Sequence, residues 1–376
     1  MYDILIRGAH VLDPSQGLDT QCDIAVENGR IAAVGKLDSQ SAEQIICADG
    51  CVVTPGLIDM HAHLYPLTEI GISPEVACFT AGVTTALDCG SAGAATYPAH
   101  RGAVLSSRVR IKALLHVCSA GLATGRYLEN PDPRYYDRIK ISRYLREYPE
   151  LIGLKIRQGA EIVGELGLKP LAETIALADT LGVPVMVHCS NPPGKLDDMI
   201  NMLRPGDILT HAYQDKGDSL LDEHGRISKA AWAARERGVI FDVANANIHF
   251  SFVVARRAIQ EGFLPDTIST DLTTRSLYRR PAVFNLLHVM SKYLNMGLTL
   301  SQVIERCTIA PARIMGMDNE IGTLRPGSCA DIAVLREYER ETEFGDRAGE
   351  IMRGSRNLRA VMTVRAGEIV YRDQEF

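Results

Sequence analysis

Short apolar runs alternate with longer amphipathic stretches through the middle of the chain, from about residue 52 to residue 318. The apolar runs predict strands at 57–63, 84–89, 111–117, 152–156, 183–188, 208–211, 239–243 and 267–271. Helical patterns lie between them, for example at 171–181, 229–237 and 252–261. Strands that alternate with helices form parallel βαβ units, and eight such units predict a closed (β/α)8 TIM barrel.

Both ends of the chain show a different pattern, with short apolar stretches separated by turn residues. Near the start these stretches lie at 4–6, 23–26, 30–34 and 44–47, and Asn28-Gly29 predicts a β-hairpin. Near the end they lie at 331–335, 360–364 and 369–371, with a turn at Ala366-Gly367. We therefore predict a small β-sandwich domain formed from residues 1–51 and 320–376, beside a barrel domain of residues 52–319.

Composition narrows the function classes without naming one. The 376 residues can hold a barrel and a small domain, and the formal charge of -6 offers no basic field for nucleic acid. The sequence shows no apolar run of about 20 residues and no secretory signal pattern. Its nine cysteines are irregularly spaced and fit reduced thiols. We expect a cytoplasmic homo-oligomer that acts on a small molecule, with no nucleic-acid or membrane partner.

Six polar side chains stand at or near the carboxyl ends of five predicted strands: His61, His63, Lys155, His188, His211 and Asp271. TIM barrels carry their active sites at this face. Side chains two apart on a strand share a face, so His61 and His63 point together into the barrel mouth. Imidazole and carboxylate bind Zn²⁺ and similar ions. The Lys155 ammonium would repel cations, whereas a carbamate formed with CO₂ could bridge two of them.

Several sequence motifs around these six residues resemble those of a known protein family. Residues 56–63 (GLIDMHAH) resemble the first-strand signature of the amidohydrolase superfamily, and residues 308–313 (TIAPAR) and 322–331 (GTLRPGSCAD) resemble its closing segments. The six polar side chains resemble the binuclear branch of dihydroorotases and hydantoinases. Four further segments resemble the bacterial amidohydrolase/deacetylase group: 88–93 (DCGSAG), 153–157 (GLKIR), 204–211 (RPGDILTH) and 266–272 (DTISTDL).

The resemblance implies a role for each of the six side chains. His61 and His63 would hold the more buried of two divalent ions, which we expect to be Zn²⁺, and Asp271 would bind the same ion. His188 and His211 would hold the more exposed ion. An N6-carboxylysine at Lys155 and a hydroxide would bridge the two ions. Asp271 would then act as general base and afterwards as general acid in the hydrolysis of an amide or ester.

The chain departs from its relatives at two places that bear on the substrate. Dihydroorotases usually carry an arginine after the HxH motif, where this chain has Tyr65. Residues 243–250 (VANANIHF) replace a Gly-His-Gly type of loop. We therefore expect a deacetylase-like hydrolase of small N-acyl or O-acyl carboxylates. The alternatives are a cyclic amide hydrolase of the dihydroorotase or hydantoinase kind, and a metal-free structural barrel.

Four further residues are candidates for contact with the substrate: Arg157, His249, Tyr97 and Ser91. Arg157 lies two residues after Lys155 and could bind a carboxylate through a bidentate fork or form an ion pair at the rim. His249 could contact the substrate or be an ordinary loop histidine. Tyr97 could donate to a developing oxyanion. The run 90–93, which includes Ser91, could offer backbone N–H groups to an anion or form a tight turn.

Overall fold

The computed structural model of the chain describes residues 1–37, 40–66, 68–125 and 127–376. Its strands in chain order are β1 (Tyr2–Asp13), β2 (Leu18–Glu27), β3 (Arg30–Gly35), β4 (Ala42–Cys47), β5 (Val52–Pro55), β6 (Leu57–Ala62), β7 (Val83–Gly93), β8 (Arg110–His116), β9 (Leu151–Arg157), β10 (Val185–His188), β11 (Ile208–Thr210), β12 (Ile240–Asp242), β13 (Ile332–Gly345), β14 (Ile351–Arg365) and β15 (Glu368–Arg372).

Most of the α-helices lie between the strands of the middle region. They are α1 (Pro74–Phe79), α2 (Tyr97–Ser106), α3 (Arg138–Glu147), α4 (Ala160–Val163), α5 (Lys169–Leu181), α6 (Leu196–Met202), α7 (Lys229–Arg237), α8 (Phe252–Gln260), α9 (Thr274–Tyr278), α10 (Leu286–Asn295), α11 (Leu300–Glu305) and α12 (Ile309–Ile314). Within the described ranges, none of these helices has the length and apolar character needed to cross a membrane.

Strands β6 to β12 form one parallel sheet in sequence order, and each strand pairs with the next. The crossover helices explain this order, because a helix between parallel strands packs back onto the sheet. Helix α7 illustrates which residues fix the two ends of a crossover helix. Ser228 accepts a hydrogen bond from the Ala231 N–H at its start, and Gly238 ends it with a φ of 96°. The alternation thus confirms the predicted barrel class.

The eighth predicted strand, 267–271, is not a strand of the parallel ladder. It meets its neighbours through isolated bridges, Thr267 to Asp242 and Leu272 to Ala62. Backbone hydrogen bonds still close the wall, since the Asp271 N–H donates to the His61 carbonyl at 2.7 Å. Asp271 has a φ of 50°, which breaks the regular strand geometry that a ladder requires. The barrel is therefore seven laddered strands and one extended closing segment.

Both chain ends contribute strands to a single eight-stranded sheet. The sequence predicted this joint domain, because the two ends show the same pattern of short apolar stretches and turns. Its strand order is β15-β14-β13-β5-β1-β2-β3, and β4 pairs with the other end of β1. The hairpin at Asn28-Gly29 is confirmed, with φ values of 51° and 73°. A separate apolar core lies within this sheet region, for example Ile6, Val26 and Val364, each fully buried. The termini thus form a sheet domain with its own core.

Candidate metal centre

A cavity of about 300 Å³ opens at the carboxyl ends of the barrel strands. All six side chains that the sequence placed at this face line it: His61, His63, Lys155, His188, His211 and Asp271. Each is at least 93% buried as a residue, so the polar atoms converge in a space largely shielded from solvent. The parallel strand order explains the convergence, because the carboxyl ends of all barrel strands meet at one rim.

The imidazoles of His61 and His63 are each oriented by a hydroxyl group that also binds a buried carboxylate. His61 Nδ1 lies 2.9 Å from Thr210 Oγ1, and that hydroxyl donates to Asp242 at 2.7 Å. His63 Nδ1 lies 2.8 Å from Ser91 Oγ, which donates to Asp88 at 2.8 Å. Because each hydroxyl donates its one hydrogen bond to a carboxylate, it acts as the acceptor of a hydrogen bond from the imidazole N–H.

These relays fix the tautomer of both rings and leave each Nε2 with a free lone pair. His63 Nε2 lies 3.1 Å from Asp271 Oδ1, and His61 Nε2 lies 3.5 Å from the same oxygen. Lone pairs of neutral imidazole and carboxylate repel each other at this distance unless a cation or proton stands between them. The arrangement therefore fits a cation at the inner end of the cavity.

Three further imidazoles form a second group on the other side of the cavity. The possible ligand atoms of His188, His211 and His249 lie within 4.8 Å of one another, and so do those of His61, His211 and Asp271. His211 Nδ1 donates to the Ala244 carbonyl at 2.8 Å, which again leaves Nε2 free. His211 thus stands between two possible metal positions, in accord with a binuclear centre.

The electrostatics of the cavity favour neutral imidazoles. Burial lowers the pKa of His61, His188 and His211 well below the usual value, and neighbouring cationic groups lower it further. A neutral imidazole is the form that binds a metal ion. The donor set of nitrogen lone pairs and one carboxylate thus fits divalent zinc or a similar ion by its chemistry.

Lys155 lies at the centre of the site and is 2% exposed. Its Nζ lies 3.5 Å from His61 Nε2. Burial lowers the pKa of Lys155 below that of a free lysine, an effect that the negative charge of the Asp271 carboxylate opposes. A lowered pKa raises the fraction of free amine, which is the form that can react with CO₂.

Arg157 lines the same cavity, but its guanidinium is already paired. Nη1 donates to both carboxylate oxygens of Glu129, at 2.9 and 3.0 Å. Behind this pair, His116 accepts a hydrogen bond from the Cys118 N–H at Nδ1, so its Nε2 carries the ring proton. That nitrogen lies 4.0 Å from Glu129. The sequence pattern left Glu129 unnoticed, since it lies in a loop without periodicity.

Two of the predicted substrate contacts lie elsewhere. Tyr97 lies outside the residues that line this cavity; it is buried in α2, and its hydroxyl donates to Glu150 at 3.3 Å. Its place in a layer of tyrosines, 5.9 Å from the Tyr148 ring, explains this orientation. Ser91 holds His63 rather than lining the cavity. Tyr65, which follows the HxH motif, packs against His100 at 4.4 Å between ring centroids.

Buried carboxylates support the closing segment that carries Asp271. Asp59 accepts from the Thr270 N–H and hydroxyl, at 3.1 and 2.7 Å, and burial raises its pKa to about 7. Asp242 accepts from Thr267 and Ser269 at 2.7 and 2.6 Å. The supporting role of Asp242 escaped the sequence reading, although an acid within an apolar barrel strand was an available signal.

Comparison with known proteins agrees with this geometry. The profile of the Amidohydrolase family matches residues 52–370. The chain belongs to the amidohydrolase family. This amidohydrolase is therefore a hydrolase that acts on carbon–nitrogen bonds, and metal binding is typical of its family.

Its relatives carry several activities. A deacetylase of Agrobacterium fabrum (strain C58) is 35% identical over 334 residues, 87% of this chain and 81% of that protein. A dihydroorotase of Geobacter metallireducens is 26% identical and is covered over its full length. Among solved structures, a dihydroorotase and an adenine deaminase both superpose with a TM-score of 0.91, at 32% and 28% identity. They cover 99% of this chain and are themselves covered over 98% and 100%.

Proposed function

We propose that this amidohydrolase removes the acyl group from a small N-acyl or O-acyl carboxylate at a binuclear metal centre. The observation that carries the proposal is the convergence of four histidines, Lys155 and Asp271 around one cavity that an arginine also lines. The deacetylase of Agrobacterium fabrum, 35% identical, supports the choice of acyl transfer to water.

The chain supplies a complete set of groups for two divalent ions. His61, His63 and Asp271 would hold the inner ion, and His188 and His211 the outer one. The free amine of Lys155, converted by CO₂ to a carbamate, would present one oxygen to each. When bound, two such ions would polarise a substrate carbonyl and lower the pKa of a water molecule toward neutral pH.

Asp271 is the residue that would move the proton. Its Oδ1 faces His61 and His63, whereas its Oδ2 points toward His249 at 3.9 Å. The carboxylate would take a proton from the attacking water as the new carbon–oxygen bond forms. It would then give that proton to the leaving nitrogen or oxygen as the carbon–nitrogen or carbon–oxygen bond breaks. The same group thus serves as base and acid.

Arg157 would bind the carboxylate of the substrate. Its side chain is 26% exposed, and only Nη1 is engaged by Glu129. A guanidinium with further N–H groups facing a cavity is well suited to a carboxylate. The bond to be cleaved would then lie between Arg157 and Asp271.

Hydrolysis of a cyclic amide is the second candidate, supported by a dihydroorotase structure that is 32% identical with a TM-score of 0.91. Against it stands Tyr65, which occupies the position of the dihydroorotase arginine and packs on His100 outside the residues that line the cavity. A barrel retained only as a structural subunit fits poorly with a complete set of ligands.

A kinetic screen of the zinc-loaded protein tests the proposal. It compares N-acyl amino acids, O-acyl hydroxy acids and cyclic ureides, with Asp271→Asn as the matched variant. We expect turnover of the acylated carboxylates, and a decrease in kcat of about 10² to 10⁴ in the variant with unchanged circular dichroism. Turnover of cyclic ureides alone would favour the second candidate. An Asp271→Asn variant with full activity would contradict the role of this carboxylate.

A further inference from the structure

The loop after β12 brings His249 to the cavity through an unusual backbone. Ala244 and Ala246 have φ values of 31° and 42°, in a region that alanine rarely adopts. Two hydrogen bonds to the closing segment hold this turn: the Ala244 N–H donates to the Ser269 hydroxyl, and the Ala246 N–H donates to the Thr270 carbonyl. A fixed and unfavourable backbone that delivers one polar side chain to a site indicates a functional position for that side chain.

The contacts of His249 place one of its two ring nitrogens at the cavity. Nδ1 lies 2.7 Å from Ser190 Oγ. The other nitrogen, Nε2, faces Asp271 Oδ2 at 3.9 Å, and the side chain is only 12% exposed. In the tautomer whose Nδ1–H donates to this hydroxyl, Nε2 presents a lone pair to the cavity. A lone pair that faces a carboxylate is favourable only when a cation or a proton lies between the two groups.

The neighbours of His249 are the two histidines of the outer position. Its ring lies 4.1 Å from the His211 ring and 4.9 Å from the His188 ring, between centroids. One possible ligand atom of each of the three lies within 4.8 Å of the others. Neutral imidazole nitrogens are common ligands of zinc and similar ions. Besides the carbamate oxygen of Lys155 that the proposed function places there, the outer position would have two nitrogen ligands, and His249 Nε2 would supply a third.

We propose that His249 is a third nitrogen ligand of the outer metal ion, beside His188 and His211. This inference rests on the metal centre under the proposed function, but not on the substrate assigned there. It differs from a substrate contact, because removal of the ring would weaken the binding of one metal ion even when no substrate is present.

Metal titration of the full chain tests the inference. Protein freed of metal by a chelator is titrated with Co²⁺ in competition with a coloured chelator, and the visible absorption of bound cobalt is followed. The variants are His249→Ala and His249→Gln, and the control is His224→Ala, whose imidazole lies on the surface and is 74% exposed. Circular dichroism and thermal unfolding check that each variant is folded, and the glutamine variant keeps a polar group beside Ser190.

We expect two equivalents in the wild-type protein and in His224→Ala. In both His249 variants the second equivalent should bind at least tenfold more weakly and change its cobalt spectrum, while the first is unchanged. Two unaltered equivalents together with a raised KM would overturn the inference and make His249 a substrate contact. Weakening of the second equivalent in the His249 variants alone, in a protein that hydrolyses no acylated substrate, would support the inference and contradict the proposed substrate.

Discussion

Arg157 donates from a single nitrogen, Nη1, to both carboxylate oxygens of Glu129, at 2.9 and 3.0 Å. The guanidinium forms no other hydrogen bond within the described ranges. Glu129 is 4% exposed at its side chain and so is held firmly in place. The ion pair therefore sets the direction of the guanidinium without consuming its remaining donors. Rim pairing and substrate binding, which the sequence left as alternatives, are compatible in this geometry.

Removal of the Arg157 guanidinium should raise KM for negatively charged substrates more than for uncharged ones. We expect Arg157→Met to raise KM by about 10- to 100-fold for an acylated carboxylate, because a hydrogen bond to a charged group contributes about 1.5–3 kcal/mol. The primary amide of the same substrate should change little. Steady-state kinetics on both substrates measure the difference, with the exposed Arg143→Met as control. Equal losses for both substrates would show that Arg157 only holds the loop.

The hydroxyl of Ser91 should matter for metal affinity although it lies outside the cavity lining. Ser91→Ala removes the acceptor of the His63 Nδ1 proton and leaves Asp88 without one of its donors. Such outer partners typically change metal affinity by about 10- to 100-fold. Competition with a chelator should show this loss for one equivalent of zinc. The exposed Ser106→Ala is the control, and an unchanged affinity in Ser91→Ala would contradict the relay.

Lys155 should carry a carbamate when the protein is loaded with metal. After removal of metal and CO₂, activity should return only when zinc and bicarbonate are added together, because the buried amine must first react with CO₂. With ¹³C-bicarbonate, carbon NMR should show a carbamate signal that Lys155→Ala lacks. Recovery of activity with zinc alone, in CO₂-free buffer, would show that the amine itself suffices.

Lys292 should make stability depend on pH at a place remote from the cavity. It is 3% exposed, its Nζ donates to the Gly345 carbonyl at 3.2 Å, and burial lowers its pKa to about 7 while Asp346 opposes the shift. In the unfolded chain the pKa returns to about 10.4. Between these values the unfolded state holds a proton that the native state lacks. Stability from this group therefore rises with pH from about 7 to about 10.

Urea unfolding at several pH values checks this sign. The free energy of unfolding of Lys292→Met should exceed that of the wild type most at pH 7 and below, and the difference should shrink toward pH 10. Its slope is at most about 1.4 kcal/mol per pH unit, the value for one proton. The exposed Lys229→Met should run parallel to the wild type. A difference for Lys292→Met that is constant with pH would mean an ordinary, charged lysine in the native state.

The sequence predicted the barrel and the six converging side chains because both depend on local patterns. Strand length and alternation are local, and so is the place of a polar residue at a strand end. The structure confirms seven of the predicted strands with shifts of a few residues at their ends. For example, β11 ends at Thr210 rather than at His211, because His211 has a φ of 65°. Strand ends are the least regular part of the backbone and respond to the site they build.

The features that sequence reasoning missed depend on contacts between distant residues. Glu129 meets Arg157 across 28 positions, and Thr210 joins His61 across 149. No periodicity encodes such pairs, since they arise only when the barrel closes. The failure of the eighth strand has the same origin. Polar side chains of that segment bind Asp59 and Asp242, which compete with regular pairing of its backbone.

The closing segment 267–271, which carries Asp271, is thus held in the barrel more by hydroxyl-to-carboxylate hydrogen bonds than by regular strand pairing. Substitutions at Thr270 or Ser269 would move the Asp271 carboxylate while the seven laddered strands keep their register. Mutational change in this one segment therefore alters the position of an acidic side chain at the cavity without rebuilding the scaffold.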